Sequence, residues 1–305
     1  MGGRDESLMQ GWCSVMDSSS TCFEWPSRRR HNPLAVALPS SILRVEPTLL
    51  LKTLKAGQIG RVAAIYRVDE IAVFEDPDSS PRLSRLLQLL LNYQATPPHL
   101  KKRVFPLRRE LKYASLMPPL KIPSHTVPAE PKVGAILDGY VESCSGKSCR
   151  VFLGSMGYGV LRGRARPGDV VTVRIGEISG GRIVLEKASW GELYYGFSVS
   201  RFKRLEEAVT SFRRRGYRVV ATDKNGLCPP ESWKILAEIP SAKTLVVFGG
   251  PYKGVLEYTN PYLYDGVVNV IPRQGTETVR TEEALLATLE AISVLESLRQ
   301  SSGQE

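Results

Sequence analysis

Residues 243–284 read KTLVVFGGPYKGVLEYTNPYLYDGVVNVIPRQGTETVRTEEA, and the reading of this stretch decides the fold. Thr244 to Phe248 form a continuous apolar run rich in β-branched and aromatic residues, the character of a strand buried on both faces of a parallel sheet. Gly249 and Gly250 end it. Two glycines at the carboxyl end of a buried strand make either a plain turn or a place where backbone or ligand comes close, and in open α/β sheets that edge is where ligands bind. A second strand is expected from Gly266 to Ile271, stopped by Pro272, which cannot donate to a ladder. The polar turn 273–278 then leads to a helix. Glu282 and Glu283 in its first turn suit the positive end of the helix dipole, and Leu285, Leu289, Ile292, Leu295 and Leu298 make one apolar stripe. Two strand ends and a helix start thus converge on one place. It carries neither a Walker-type phosphate loop nor a Rossmann glycine fingerprint.

Working outward, residues 33–126 alternate as strand (34–38), helix (47–66), strand (70–74) and helix (82–93), a parallel α/β unit broken by Pro97-Pro98. Residues 101–123 are basic and punctuated by proline, and are expected to wrap the surface. From 127 to 189 the composition changes to five short strands, 134–141, 150–153, 159–161, 169–175 and 182–186, with glycine turns between them, which suggests a small inserted barrel. The α/β pattern resumes over 190–298, with a helix at 205–215, a strand at 217–221 ending in Thr222-Asp223-Lys224-Asn225-Gly226, and a helix at 229–237. The fold class is therefore α/β with a small β-barrel insert, between an extension at 1–32 read as flexible and a tail at 299–305.

The 305 residues hold 41 Lys+Arg against 31 Asp+Glu, a net charge of +10, which favours a polyanionic partner. Basic runs stand at 28–30, 101–103, 108–109, 162–166 and 213–215. One such run alone is a solvated face; several together fit contacts to nucleic-acid phosphates. No apolar run is long enough for a membrane and the first 30 residues lack a signal-peptide layout, so a cytoplasmic location is expected. The five cysteines have no zinc spacing, and no metal is expected. Cys144 and Cys149 read as flanking a hairpin turn, with a disulfide as the alternative. His31, His99 and His125 are isolated and read as surface or loop histidines rather than bases.

A wider pattern carries more. LVVFGG and VNVIPRQGTETVRTEEALL, with VALPSSIL (36–43), LKAGQIGRVAAIYRVDEIAVFED (54–76), LKYASLMPPL (111–120), YYGFSV (194–199) and VATDKNG (220–226) upstream, resemble SPOUT-class RNA methyltransferases, in the archaeal and eukaryotic group with a barrel inserted in the catalytic domain. The resemblance covers most of residues 34–295. It implies a Rossmann-like domain whose C-terminal chain threads a deep trefoil knot, a rare topology that the spacing does not itself show. It also implies a homodimer and S-adenosylmethionine as methyl donor, held mainly by backbone groups of three loops: Thr222 after the first strand, Gly249 and Gly250 after the second, and Ile271, Pro272, Gln274, Gly275 and Thr276 after the third. Glycines and apolar neighbours suit a donor held that way. The acceptor implied is an RNA base, with uridine N3 preferred and ribosomal RNA the expected partner. Loss of its proton calls for a base or a fixed cation. Arg61 is the first candidate, with an ion pair to Asp69 or Glu70 as its alternative role; Arg280, in VRTEEA, is the second. The barrel segment ARPGDVVTVRI resembles oligonucleotide-binding folds, in which Phe152, Tyr158, Arg162 and Arg164 would stack on bases or meet phosphates. A purely structural insert is the alternative. The competing function is a catalytically silent RNA-binding or ribosome-assembly protein on the same fold.

Overall fold

The structure is a computed structural model and describes residues 23–301. Strand β1 (Leu34–Pro39) is followed by helix α1 (Leu49–Ile65), β2 (Glu70–Phe74), α2 (Pro81–Ala95) and the single turn α3 (Lys101–Val104). The next five strands are β3 (Ile136–Ser145), β4 (Ser148–Phe152), β5 (Tyr158–Arg162), β6 (Val170–Ser179) and β7 (Arg182–Lys187). The chain then forms β8 (Ser198–Phe202), α4 (Leu205–Arg214), β9 (Arg218–Leu227), α5 (Glu231–Ala237), β10 (Thr244–Phe248), β11 (Gly266–Val268) and α6 (Thr281–Ser301).

The main sheet has the order β11-β9-β10-β1-β2-β8, with every pair parallel. Its central strands β1 and β10 are buried along their whole length, as continuous apolar runs require. Helices α1, α2 and α6 cover one face, where Leu285, Leu289 and Ile292 of α6 join Ile59, Leu87 and Leu90 in the core. Leu298 departs from the expected stripe and is 61% exposed. The edge strand β8 was not among the expected elements; SVSRF alternates too weakly to stand out until it pairs with β2.

Strands β3 to β7 close into a barrel of order β3-β4-β5-β7-β6. Only the β5–β7 pair is parallel, which makes this the oligonucleotide-binding-fold arrangement. Cys144 and Cys149 face each other across the β3–β4 hairpin and form a disulfide. The barrel is tied to the α/β layer at His99, whose ring Nε2 bonds the Asp138 carbonyl at 2.8 Å. The Asp138 carboxylate accepts from Thr172 and from the Trp190 indole. Burial raises its pKa, against the pull of those two donors.

Two segments are less mobile in character than their composition suggests. Residues 1–22 lie outside the described residues, but 23–32 are docked and not a free extension. Arg28 bridges to Leu193, Arg29 pairs with Asp69 at 2.9 Å, and Arg30 is buried against Glu296. Residues 101–123 do not merely wrap the surface, because Ala114, Met117, Leu120 and Ile122 enter the core. Glycine in α1 makes room for this segment: a Cβ on Gly57 would lie 2.9 Å from Met117 Cγ and from Pro118 Cδ. At the other end, α6 continues to Ser301, into what reads as a tail; residues 302–305 lie outside the described ones. Among the described residues no helix is long and apolar enough to cross a membrane.

His125 provides a pH test of this packing. Its Nε2 donates to the Ala95 carbonyl at 2.9 Å. Burial pushes its pKa down to about 4 from an ordinary value of 6.5, opposed by that bond and reinforced by Lys101 and His99. The folded imidazole stays neutral where an unfolded one gains a proton, so its contribution to stability is complete above about pH 6.5 and is lost as pH falls toward 4. Thermal unfolding followed by circular dichroism should show Tm dropping over this window, with a shallower drop in His125→Gln. Parallel curves for the two proteins would contradict it.

Candidate active site

The C-terminal half of β9 and the loops leaving β10 and β11 enclose a cleft closed on one side by the first turn of α6. Its walls include Thr222 to Lys224, Phe248 to Gly254, Val268 to Ile271, Gln274, Thr278, Thr281 and Ala284. Five residues expected in a donor site, Thr222, Gly249, Gly250, Ile271 and Gln274, therefore meet there. Pro272, Gly275 and Thr276 belong to the same loop but do not line the cleft.

Gly249 explains how the loops come so close. A Cβ there would lie 2.9 Å from Val255 N and 3.1 Å from Gly254 Cα, so the close approach is made by the chain's own backbone as it folds back. At Gly250 a Cβ would lie 2.9 Å from Ser41 Oγ and 3.1 Å from Asp76 Oδ2. Ser41 and Asp76 are buried, and the Ser41 amide donates to Asp76 at 3.1 Å. The Tyr258 hydroxyl, which feels the Asp76 charge, is buried without a hydrogen-bond partner among the described residues. Burial, and then the Asp76 charge, raise its pKa.

Three polar residues that sequence reasoning passed over hold the loops together. Asp223 accepts from Asn225 N at 2.9 Å and from Leu256 N at 3.2 Å, joining the first loop to the second. Thr281, 4% exposed, donates from Oγ1 to the Gly249 carbonyl at 2.9 Å, joining the helix start to the second loop. Asn269 donates from Nδ2 to the Lys224 carbonyl and accepts from Ile271 N at Oδ1. That local turn ends β11 at Val268 instead of Ile271, because the Ile271 amide is turned into a side-chain bond and leaves the ladder. Thr222 likewise lies within a strand and not after one: β9 continues to Leu227, which pairs with Val268 past a bulge. The signals for these were faint. Asp223 and Asn269 are turn-type residues inside apolar runs, and Thr281 reads only as a helix-start residue.

The other candidates fall elsewhere. Arg61 donates to the carbonyls of Pro119 at 3.0 Å and Leu120 at 2.7 Å. It does not line the cleft and does not pair with Asp69 or Glu70, whose partners are Arg29 and Arg215. Arg280 stands between cleft-lining Val279 and Thr281. Its amide donates to Glu283, capping the helix, and its side chain is 65% exposed. On the barrel, Phe152 and Tyr158 pack together with ring centroids 5.5 Å apart. Arg103 lies over Phe152 and Arg150 over Tyr158, so these rings already carry cations. Arg162 and Arg164 are exposed. Among the described residues no group of His, Cys, Asp and Glu could hold a metal ion. His99 and His125 bond backbone carbonyls outside the cleft.

The neighbours at the two glycines differ in kind. Gly249→Ala pushes on backbone, whereas Gly250→Ala pushes on the ends of two side chains, so urea unfolding should show the larger loss of stability for Gly249→Ala. Thr281→Val should cost about 1–3 kcal/mol by leaving the Gly249 carbonyl without its donor. An unchanged urea midpoint for Thr281→Val would show that this bond does not hold the second loop.

Comparison with known proteins follows the same lines. A model of a family described as "Putative RNA methyltransferase" matches residues 33–292. A protein of Halobacterium salinarum named only as uncharacterized is 33% identical over 289 residues, covering 86% of this chain and 99% of the relative. The 28S rRNA (uridine-N(3))-methyltransferase of Homo sapiens is 30% identical over 320 residues, covering 91% of this chain and 82% of that one. Among solved structures, the SpoU methyltransferase AviRb of Streptomyces viridochromogenes with AdoMet aligns at a TM-score of 0.36 and 13% identity, over 90% of this chain and 60% of that one. With the family match spanning nearly the whole described chain, the protein belongs to the family described as "Putative RNA methyltransferase".

Proposed function

We propose that the cleft binds S-adenosylmethionine and that the enzyme methylates N3 of a uridine in ribosomal RNA. The observation that carries the reading is the convergence of the end of β9, the loops after β10 and β11 and the start of α6 on one cleft, lined by Gly249, Gly250 and Gly254, by the apolar residues Phe248, Val268, Val270, Ile271 and Ala284, and by the charged residues Asp223, Lys224, Lys253 and Glu257. Thr278 and Val279 line it, and their main-chain N–H groups donate to no backbone carbonyl among the described residues. Such walls suit an adenosine and an amino-acid end held by backbone groups. The bound donor supplies an activated methyl group on sulfur. The chain's part is to hold the acceptor in line with it. Thr222, Gly249, Gly250, Ile271 and Gln274 form the walls, while Pro272, Gly275 and Thr276 shape the third loop behind them. Gln274 braces that loop through bonds to the Thr276 and Glu277 carbonyls. The acceptor substrate follows the uridine-N3 activity in the name of the human relative.

Arg280 is the cation placed to stabilise charge developing on the uracil ring or to meet an RNA phosphate. Arg61 acts through the 119–120 segment that it fastens. The trefoil threading of the C-terminal chain and a cytoplasmic location belong to the same reading, as does a homodimer. Leu286, Val294 and Leu298 lie at helical spacing on one exposed face of α6, an apolar stripe that a second copy would cover.

Isothermal titration with S-adenosylmethionine should give saturable binding at about one site per chain. Gly250→Val should abolish it while leaving RNA affinity intact, since the added side chain displaces the second loop without touching the barrel. Loss of both activities together, or of neither, would overturn the assignment of the cleft. The target is then read by mapping 3-methyluridine in RNA treated with the enzyme and donor.

A further inference from the structure

A second cavity lies between the C-terminal end of α2, the α3 turn and residues 114–120, and it shares no lining residue with the cleft. Tyr93, Gln94, Lys101, Pro118 and His125 form its walls. The carbonyls along the 118–120 side are already used. Gln94, 2% exposed, donates to Gly57 O and Pro118 O at 2.9 Å each, and Arg61 takes Pro119 O and Leu120 O. Two groups remain to a ligand: Gln94 Oε1, a buried acceptor without a partner among the described residues, and the Lys101 ammonium as a donor. The Lys101 ammonium sits 4.5 Å from the centre of the Tyr93 ring and makes no ion pair among the described residues. Burial alone lowers its pKa, with no carboxylate acting against it. A partly desolvated cation without a counter-charge favours an anion, and the Tyr93 ring, which already carries that cation and packs against Phe105 with centroids 5.2 Å apart, walls the space next to it.

The surroundings fit an RNA source for that anion. Two of the other basic runs are largely spent within the fold: Arg29 on Asp69, Arg30 on Glu296, Arg213 on Asp265 and Arg215 on Glu70. The segment after Lys101 instead leaves Lys102, Arg108, Arg109 and Lys112 exposed, and Arg103 carries it onto the barrel at Phe152 and Tyr158. We propose that this cavity is a second RNA-binding site that holds one nucleotide unit, its phosphate on the Lys101 ammonium and its base or ribose against Tyr93. Arg61 and Gln94 are positioning residues for the cavity wall. RNA as the source of the phosphate rests on the function proposed above; the phosphate chemistry of the cavity does not.

The test is fluorescence anisotropy of a labelled 12-nucleotide uridine-rich RNA with the full chain over a series of salt concentrations. Lys101→Met should weaken binding and reduce the slope of log affinity against log salt by about 0.7, the loss of one single-strand phosphate contact. Lys101→Arg, which keeps the charge, should restore the slope. Lys243→Met, at an exposed cation just before the central strand β10 and outside the cavity lining, should leave it unchanged. Donor binding by titration should be the same in all three variants. Inorganic phosphate that binds through Lys101 without displacing the labelled RNA would assign the cavity to a free phosphate and overturn the RNA source. An unchanged slope in a folded Lys101→Met that still binds RNA would overturn the site alone. A wild-type chain with no RNA affinity would overturn the proposed function as well.

Discussion

Strand β10 is followed at once by a residue without a side chain, and the arrangement of the site depends on that. Because Gly249 has no Cβ, the chain can fold back until Gly254 and Val255 press on it through backbone atoms. This places the Leu256 amide on Asp223 and leaves the Gly249 carbonyl open to Thr281. The loops after β9 and β10 and the start of α6 are thereby joined by bonds around one residue. The third loop enters through Asn269, which bonds the Lys224 carbonyl. Each bond contributes modestly, about 1 kcal/mol net, but together they fix main-chain groups in place before a ligand arrives.

The net positive charge is less available than a count suggests. Lys55, 5% exposed, lies 2.8 Å from both Glu46 and Glu282 and links α1 to the start of α6. Arg30 and Arg67 share Glu296 at the far end of the same helix. Buried pairs of this kind add little net stability because desolvation offsets attraction, yet losing one partner strands the other charge. They specify how α6 sits, and α6 carries Thr281. Exposed cations remain along residues 101–112, at Lys102, Arg108, Arg109 and Lys112, and on the barrel at Arg162, Arg164 and Arg166.

The barrel follows a similar logic at its base. Asp138 is satisfied by Thr172 and Trp190 through its side chain and by His99 through its carbonyl, so one residue joins two parts of the barrel segment to the α/β layer. The aromatic pair on its outer face meets Arg103 from the basic segment, which makes barrel and segment one continuous surface.

Much of this fold was legible in residue order. Apolar runs marked β1, β2 and β10, helical spacing marked α2 and most of α6, and glycine turns marked the barrel strands, because each of these signals is local and periodic. Motif likeness brought Thr222, Gly249, Gly250, Ile271 and Gln274 to one site. Residue order could not supply what depends on distant partners. Ser198–Phe202 becomes a strand only by pairing with β2, and residues 23–32 and 114–122 become ordered only by contact with the core. Arg61 is bonded to carbonyls that lie 58 and 59 positions away, and whether Lys101 has a counter-ion depends on which carboxylates the fold brings near it. Side-chain type and spacing determine local conformation and chemical repertoire; which group ends up paired, and which is left free for a ligand, is decided by tertiary packing, because pairing energy falls steeply with distance and sequence carries no distances between remote residues.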